Sequence, residues 1–258
     1  MPNADYRTTI TSIARTKSSQ LQVFADFCKI AACALALCSR EDEYHEIATR
    51  YTSDEMHELS VAFANLVNEM EEKPFTDILG DYYLEVASHS SKQARGEFFT
   101  PPCISKMIAR MLFDIDAVKA KGIPITVNEP ACGSGGMVLA VAELFAPDSV
   151  DLLRVTCQDI NPLATDMCFI NTTLWGIPAQ VILGDTIRMT ETNRWKNPHW
   201  HRVGEDQRQT MRKILDLMNS SPEPEEKSIS TPSTEAFREV NGQFELDLGS
   251  RSELAAQR

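Results

Sequence analysis

The stretch VNEPACGSGGM at 127–137 constrains the fold more than any other part of the chain. A short β-rich run, PITVNEP at 124–130, ends in glycines that open directly onto an apolar helical run, MVLAVAELFA at 137–146. A strand that ends in a glycine turn and starts a helix presents backbone N–H groups to whatever lies across the turn. Glycine serves there because it lets backbone approach a ligand with no Cβ in the way. The pattern then repeats. LLRVTCQDI (152–160) reads as a second strand, PLATDMCFINTTLWG (162–176) as a second helix and AQVILGD (179–185) as a third strand. Strands alternating with helices at this spacing imply right-handed crossovers and a parallel sheet.

Residues 1–95 have a different texture. Apolar positions recur at helical spacing over 20–38 and again over 54–70, where Ser53 or Asp54 can cap the start. Pro74 interrupts the pattern and FTDILGDYYLEVAS resumes it. The apolar run from Leu21 raises the membrane question, but Asp26 and Lys29 fall inside it, so a buried helix is expected. The polar N-terminus carries no secretory signal. Beyond Met189 the apolar rhythm stops. RMTETNRWKNPHWHRVGEDQ contains no convincing strand, one helix fits 205–219, and 220–235 is polar and expected to be disordered. The tail to Arg258 offers no further sheet. The expected architecture is α/β, with a helical region over 1–95, a Rossmann-like domain over 96–190 and a polar tail over 191–258.

Composition excludes some functions. With 43% hydrophobic and 24% charged residues this is an ordinary soluble globular chain, and a net charge of −12 argues against a stand-alone grip on naked nucleic acid. An enzyme that reaches DNA through a basic partner is not excluded. Seven cysteines form no CxxC pair, and Cys28, Cys33 and Cys38 lie five apart, which suits core packing in a reducing compartment better than metal binding. No metal-ligand cluster is present. His45, His57 and His89 are isolated, and His199 and His201 stand two apart on a loop.

The glycine loop suggests a ligand, although a tight turn without one is the plain alternative. A nicotinamide dinucleotide fits poorly, because Val138 stands where the fingerprint needs a third glycine or alanine. Glu129, just before the loop, suits a cationic ligand such as S-adenosylmethionine. Asp159 ends the second strand, where a carboxylate can accept from both ribose hydroxyls, with Ile160 beside it as an apolar face for adenine. Asp185 ends the third strand, where it could accept from an adenine amino group. Any one of these acids is more simply a strand-end or capping residue. Three of them at consecutive strand ends mark where such sheets bind ligands.

These residues resemble the N6-adenine DNA methyltransferases, and specifically the modification subunit of type I restriction–modification systems. The resemblance runs from about Asp77 to Asp185: DILGDYYLEVAS and GEFFTPP before the cofactor site, NEPACGSGGM at its loop, QDINPLATDMCFINTTLWG and GDT after it. It implies an S-adenosylmethionine-dependent methyltransferase domain acting on DNA. Glu129, Gly133 and Gly135 would hold the methionine end of the cofactor, with Thr100, flanked by Phe99 and Pro101, against its carboxylate. Ala131 would line the same loop, Asp159 and Ile160 would take the ribose and adenine faces, and Asp185 the adenine edge. Cys132, with no histidine in the matched motifs to activate it, is expected to be a packing residue.

Transfer to adenine also needs acceptors for the two amino protons and a ring to stack on the flipped base. The family supplies these as Asn/Asp-Pro-Pro-Tyr/Phe at the end of a fourth strand. Here Asn197, Pro198 and Trp200 are the candidates, with His199 in place of the second proline, and a coincidental loop is the simpler explanation. A target-recognition region is also missing. The chain therefore reads as the cofactor-binding half of a DNA methyltransferase, completed by a separate subunit. A non-catalytic cofactor-binding protein of a mobile element or restriction complex is the alternative. If the later strands are absent, the first strand leaves an open edge that the helices, the 186–219 segment or a partner should cover.

Overall fold

The computed structural model describes residues 5–17, 19–87 and 99–200 in full, and the backbone of 88, 237–240 and 243–246. Five helices come first: α1 (Tyr6–Ala14), α2 (Gln20–Leu35), α3 (Glu41–Ala48), α4 (Ser53–Glu72) and α5 (Ile78–Ser88). Three of the starts are chemically marked. Asp5 caps α1, Ser19 caps α2, and α4 opens with a capping box in which Thr52 and Glu55 satisfy each other's backbone N–H groups. The cap of α4 is thus one residue earlier than the sequence suggested. In α2 the buried Val23, Phe24, Phe27, Cys28 and Ala31 form one stripe. Its two charges are accommodated by partners: Asp26 accepts from Tyr51 Oη at 2.9 Å and Arg50 at 3.2 Å, and Lys29 reaches Glu43 at 2.9 Å. Cys28 and Cys33 are buried as expected, but Cys38 is exposed, because it lies beyond the end of α2. No helix among the described residues is long and apolar enough to cross a membrane.

The second part alternates. After α6 (Pro102–Leu112) and α7 (Ile115–Lys121), β1 (Ile125–Glu129), α8 (Gly136–Phe145), β2 (Leu153–Asp159), α9 (Pro162–Leu174) and β3 (Ala179–Leu183) follow in order. The strands pair β1-β2-β3 in parallel, with Val127 beside Val155 and Val155 beside Ala179. Stepping in one direction with right-handed crossovers puts α8 and α9 on the same face of the sheet. Alternation confirms it. Leu153, Val155, Cys157, Ala179 and Val181 face the helices and are buried, while Thr126 and Asn128 on the opposite face are exposed.

Two expectations about the C-terminal part need correction. Residues 193–196 do form a strand, β4 (Asn193–Lys196), which pairs antiparallel with β3. Its only buried residue is Trp195, so it is an exposed edge with one apolar anchor and carries no hydrophobic run for a sequence reading to find. The tail also contains sheet: β5 (Phe237–Val240) and β6 (Gln243–Leu246) form an antiparallel hairpin. The Asn241-Gly242 pair between them is a strong hairpin signal that was overlooked. The helix suggested at 205–219 and the disorder suggested at 220–235 lie outside the described residues. Because β4 adds to β3, it covers the edge opposite β1, and among the described residues nothing pairs with β1's outer side.

Residues 1–210 form one compact unit and 211–258 another, so the helices and the sheet share a core. Arg40 fastens them. Its guanidinium is fully buried, donates to Asp166 of α9 at 2.8 Å and to Glu43 at 2.9 Å, and lies 4.1 Å from the ring centre of Trp195. Removing one partner of a buried pair strands the other charge, at a cost of about 3–5 kcal/mol. Asp166→Ala should therefore lower the urea unfolding midpoint sharply. A further consequence concerns pH. Burial pushes the Glu43 carboxyl up, but hydrogen bonds from Arg40 and Lys29 outweigh it and bring it from an ordinary 4.5 to about 2. A depressed carboxyl stabilises the fold above its ordinary value and loses that contribution as pH falls through the folded value. Unfolding midpoints measured from pH 4.5 down to 2 should fall more steeply for the native chain than for Glu43→Gln.

Candidate functional site

A cavity of about 530 Å³ opens at the carboxyl ends of β1, β2 and β3. This is within the size range of small-molecule sites, about 300–1,000 Å³. Eight of the residues expected from sequence meet there: Phe99, Thr100, Glu129, Ala131, Gly133, Asp159, Ile160 and Asp185. Two others stand one step behind it. Pro101 occupies the N-cap position of α6, and Gly135 occupies that of α8 in a left-handed conformation at φ 94°.

Hydrogen bonds fix the loop between β1 and α8 at both ends. The Cys132 N–H donates to Gln158 O at 2.9 Å, and the Gly133 N–H donates to Asp159 Oδ2 at 2.9 Å. Gly133 itself is left-handed (φ 53°), and a Cβ there would come within 3.0 Å of the Phe99 ring, so glycine is required twice over. The other Asp159 oxygen accepts from the Asn161 N–H at 2.9 Å, which aims the carboxylate across the mouth of the cavity. The loop after β3 closes against the glycine loop through Thr186 Oγ1, which donates to Pro130 O at 2.6 Å. Asp185 organises that loop. It accepts from the N–H groups of Ile187 and Arg188 and pairs with the Arg188 guanidinium at 3.1 Å, and these donors hold its carboxyl below the usual range. Glu129 is pushed the other way, by burial first and then by Cys157 and Asp159 nearby. Three carboxylates around one cavity make it attractive to a cation.

Sequence reasoning missed the group that supports the loop from below. Asp77, at the start of α5, also lines the cavity. Its Oδ1 accepts from the Gly80 N–H and from Asn171 Nδ2, both at 3.0 Å, and its Oδ2 accepts from Ser134 Oγ. Asn171, fully buried in α9, donates also to Ser134 O at 2.9 Å. Burial raises the Asp77 carboxyl, and the three donors partly offset it. The sequence places DILG in the helix that precedes the cofactor site but gives Asp77 no role there. An acid followed three residues later by glycine on an otherwise apolar stretch was the available signal, because a Cβ at Gly80 would collide with the Asp77 carboxylate.

Comparison with known proteins gives this arrangement a family. The family model described as N-6 DNA Methylase matches residues 75–216, more than half of the chain. The chain belongs to the N-6 DNA methylase family. It is 28% identical over 185 residues to the methylase subunit of the type I restriction enzyme MpnII of Mycoplasma pneumoniae, covering 69% of this chain and 31% of that one. To the MjaIX methylase subunit of Methanocaldococcus jannaschii it is 26% identical over 135 residues, covering 48% and 23%. The chain thus spans less than a third of either relative. A solved type I restriction-modification methyltransferase subunit from Streptococcus thermophilus aligns over 70% of this chain and 39% of its own, at 18% identity and a TM-score of 0.38.

Asn197, Pro198 and Trp200 do not join the cavity. Because β4 runs antiparallel to β3, its end lies beside Ala179, at the opposite end of the sheet from Asp185. Asn197 is fully buried, donates from Nδ2 to Ile177 O at 2.7 Å and accepts from the N–H groups of Ala179 and Trp200. Its amide is thus consumed by the fold. His199 bonds Thr173 O at 2.9 Å, and the Trp200 ring lies under Arg154 at 4.4 Å. The tetrapeptide opens a helix at the end of the sheet remote from the cavity.

The Asp77 network predicts a local effect. In Asp77→Ala, Ser134 Oγ, the Gly80 N–H and Asn171 Nδ2 lose a buried acceptor, at about 1–3 kcal/mol for each group left unsatisfied. Hydrogen exchange should speed up across 132–136 and at Gly80 while α1 to α4 keep native protection.

Proposed function

We propose that the chain is the S-adenosylmethionine-binding part of an adenine-specific DNA methyltransferase of restriction–modification type, acting with a further polypeptide in the cytoplasm. The observation that carries this reading is the meeting of Glu129, Asp159 and Asp185 around one cavity at the carboxyl ends of β1–β3, in a chain of the N-6 DNA methylase family. S-adenosylmethionine brings a methyl group already activated on a sulfonium, so the protein has only to bind, orient and exclude water. Its positive sulfonium and ammonium groups suit a cavity walled by carboxylates.

Each residue then has a task. Asp159, oriented by Gly133 and Asn161, accepts from the ribose hydroxyls, and Ile160, 65% exposed, offers an apolar face to the adenine ring. Glu129 and the loop from Ala131 to Gly135 face the amino-acid end, with Thr100 and Phe99 across from them. Asp185 already serves its own turn through one oxygen, which leaves the other, shared with Arg188, nearest to an incoming adenine edge.

The substrate side comes from elsewhere. With Asn197 committed to the fold, no Asn-Pro-Pro-aromatic element faces the cavity among the described residues. The −12 net charge also leaves phosphate binding to a basic partner. The open outer side of β1, adjoining the cavity at Glu129, is the edge such a partner would extend. Calorimetric titration of the chain with S-adenosylmethionine should show binding that weakens at least about tenfold, or 1.4 kcal/mol, in Asp159→Ala. Labelled methyl groups should not enter DNA with the chain alone. Absence of any binding would remove this reading.

A further inference from the structure

All seven cysteines are free, and three of them converge beneath the glycine loop. Cys132 comes from the loop, Cys157 from β2 and Cys168 from α9: the Cys132 N–H bonds Gln158 O, next to Cys157, and Gly135 of the same loop packs against Cys168 Sγ. Cys157 and Cys168 are completely buried. Cys132 is 6% exposed and lines the cavity, so the cavity gives small solutes a route to the cluster. Among the described residues no group of His, Cys, Asp or Glu is arranged to hold a metal ion. The chemistry these thiols can do together is redox chemistry.

We propose that Cys132 is a site of peroxide modification, and that its disulfide with Cys157 closes the cavity to its ligand. The backbone favours this pair. Cys157 stands directly beside Glu129 in the β1–β2 ladder, and the Cys132 N–H is already bonded to Gln158 O at 2.9 Å. A disulfide requires Cα atoms about 4.4–6.8 Å apart, and here one backbone hydrogen bond joins Cys132 to the residue that follows Cys157. The neighbouring Cys157 and burial hold the Cys132 thiol up, so its reaction with peroxide should speed up as pH rises. In the first step the Cys132 sulfur attacks a peroxide oxygen, the O–O bond breaks, and Cys132 becomes a sulfenic acid with release of water. In the second, Cys157 attacks that sulfur, the S–S bond forms, the S–O bond breaks, and the departing hydroxide leaves as water. The cysteine pair is oxidised by two electrons and the peroxide is reduced.

The loop has little room to absorb the new bond. Gly133 is fixed against Asp159, and a Cβ at Gly135 would already lie 3.2 Å from Cys168 Sγ. Drawing Cys132 inward therefore moves the residues that line the cavity. The effect on ligand binding rests on the cofactor reading given above, whereas the crosslink does not.

The test treats the full chain with hydrogen peroxide, maps disulfides by mass spectrometry, and titrates S-adenosylhomocysteine before and after. The exposed Cys38 and Cys103 serve as internal controls. The account expects a peptide pair joining Cys132 to Cys157, persisting in Cys168→Ser, lost in Cys157→Ser and reversed by dithiothreitol. Bound S-adenosylhomocysteine should slow its formation, and the oxidised chain should bind that ligand at least about tenfold more weakly. Oxidation of Cys38 and Cys103 with Cys132 and Cys157 still free would overturn the proposal, and so would a crosslinked chain of undiminished affinity. If the crosslink forms but the untreated chain binds no S-adenosylhomocysteine, the cofactor reading and the closure fall while the modification site stands.

Discussion

The carboxylate of Asp77 is where three parts of the molecule meet. It stands immediately before α5, takes the hydroxyl of Ser134 from the glycine loop and the amide of Asn171 from α9, and it borders the cavity. A glycine loop left to itself would be soft, since glycine loses more conformational freedom on folding than any other residue. Here its outer end is pinned to Asp159 and its inner end to Asp77, so the N–H groups that face the cavity are set before any ligand arrives. The helical N-terminal region, remote in sequence from the loop, thereby becomes part of the site's support. Arg40, buried between α3 and α9, fastens the same two regions at a second point.

The sheet explains why the site is one-sided. β1, β2 and β3 step in one direction, so both crossover helices fall on one face. A parallel sheet is normally covered on both faces. The uncovered face here is dressed accordingly, with Thr126 and Asn128 exposed and Thr156 and Gln180 bonded to each other at 2.8 Å. In folds of this class the ligand crevice forms where the strand order reverses. The described residues build one flank of that crevice and leave the outer side of β1 open, which fits a chain that spans less than a third of the relatives it matches.

What was legible in the sequence follows from period and punctuation. The three parallel strands, the glycine turn and α2, α4 and α5 have strong periodicity, and the acids at the strand ends could be placed because strand ends are where alternation stops. β4 was invisible because a single buried residue, Trp195, cannot signal a period. The neighbours of Asn197 imitate a catalytic element, while the antiparallel turn that carries it to the far end of the sheet has no local signature. Asp77 has one local partner, Gly80, but the two that tie it to the site lie 57 and 94 residues away. Such contacts are set by packing and leave little trace in the spacing of residues.

On the proposed reading, the cavity at the ends of β1–β3 is a cofactor site preset by the Asp77 and Asp159 carboxylates. A crystal structure of the full chain with S-adenosylhomocysteine tests it most directly. The account predicts the nucleoside against Asp159 and Ile160, the amino-acid end along the loop from Glu129 to Gly135, and the Asp77–Ser134 contact intact. Ligand bound at another surface, or a loop rearranged so that Ser134 leaves Asp77, would contradict it.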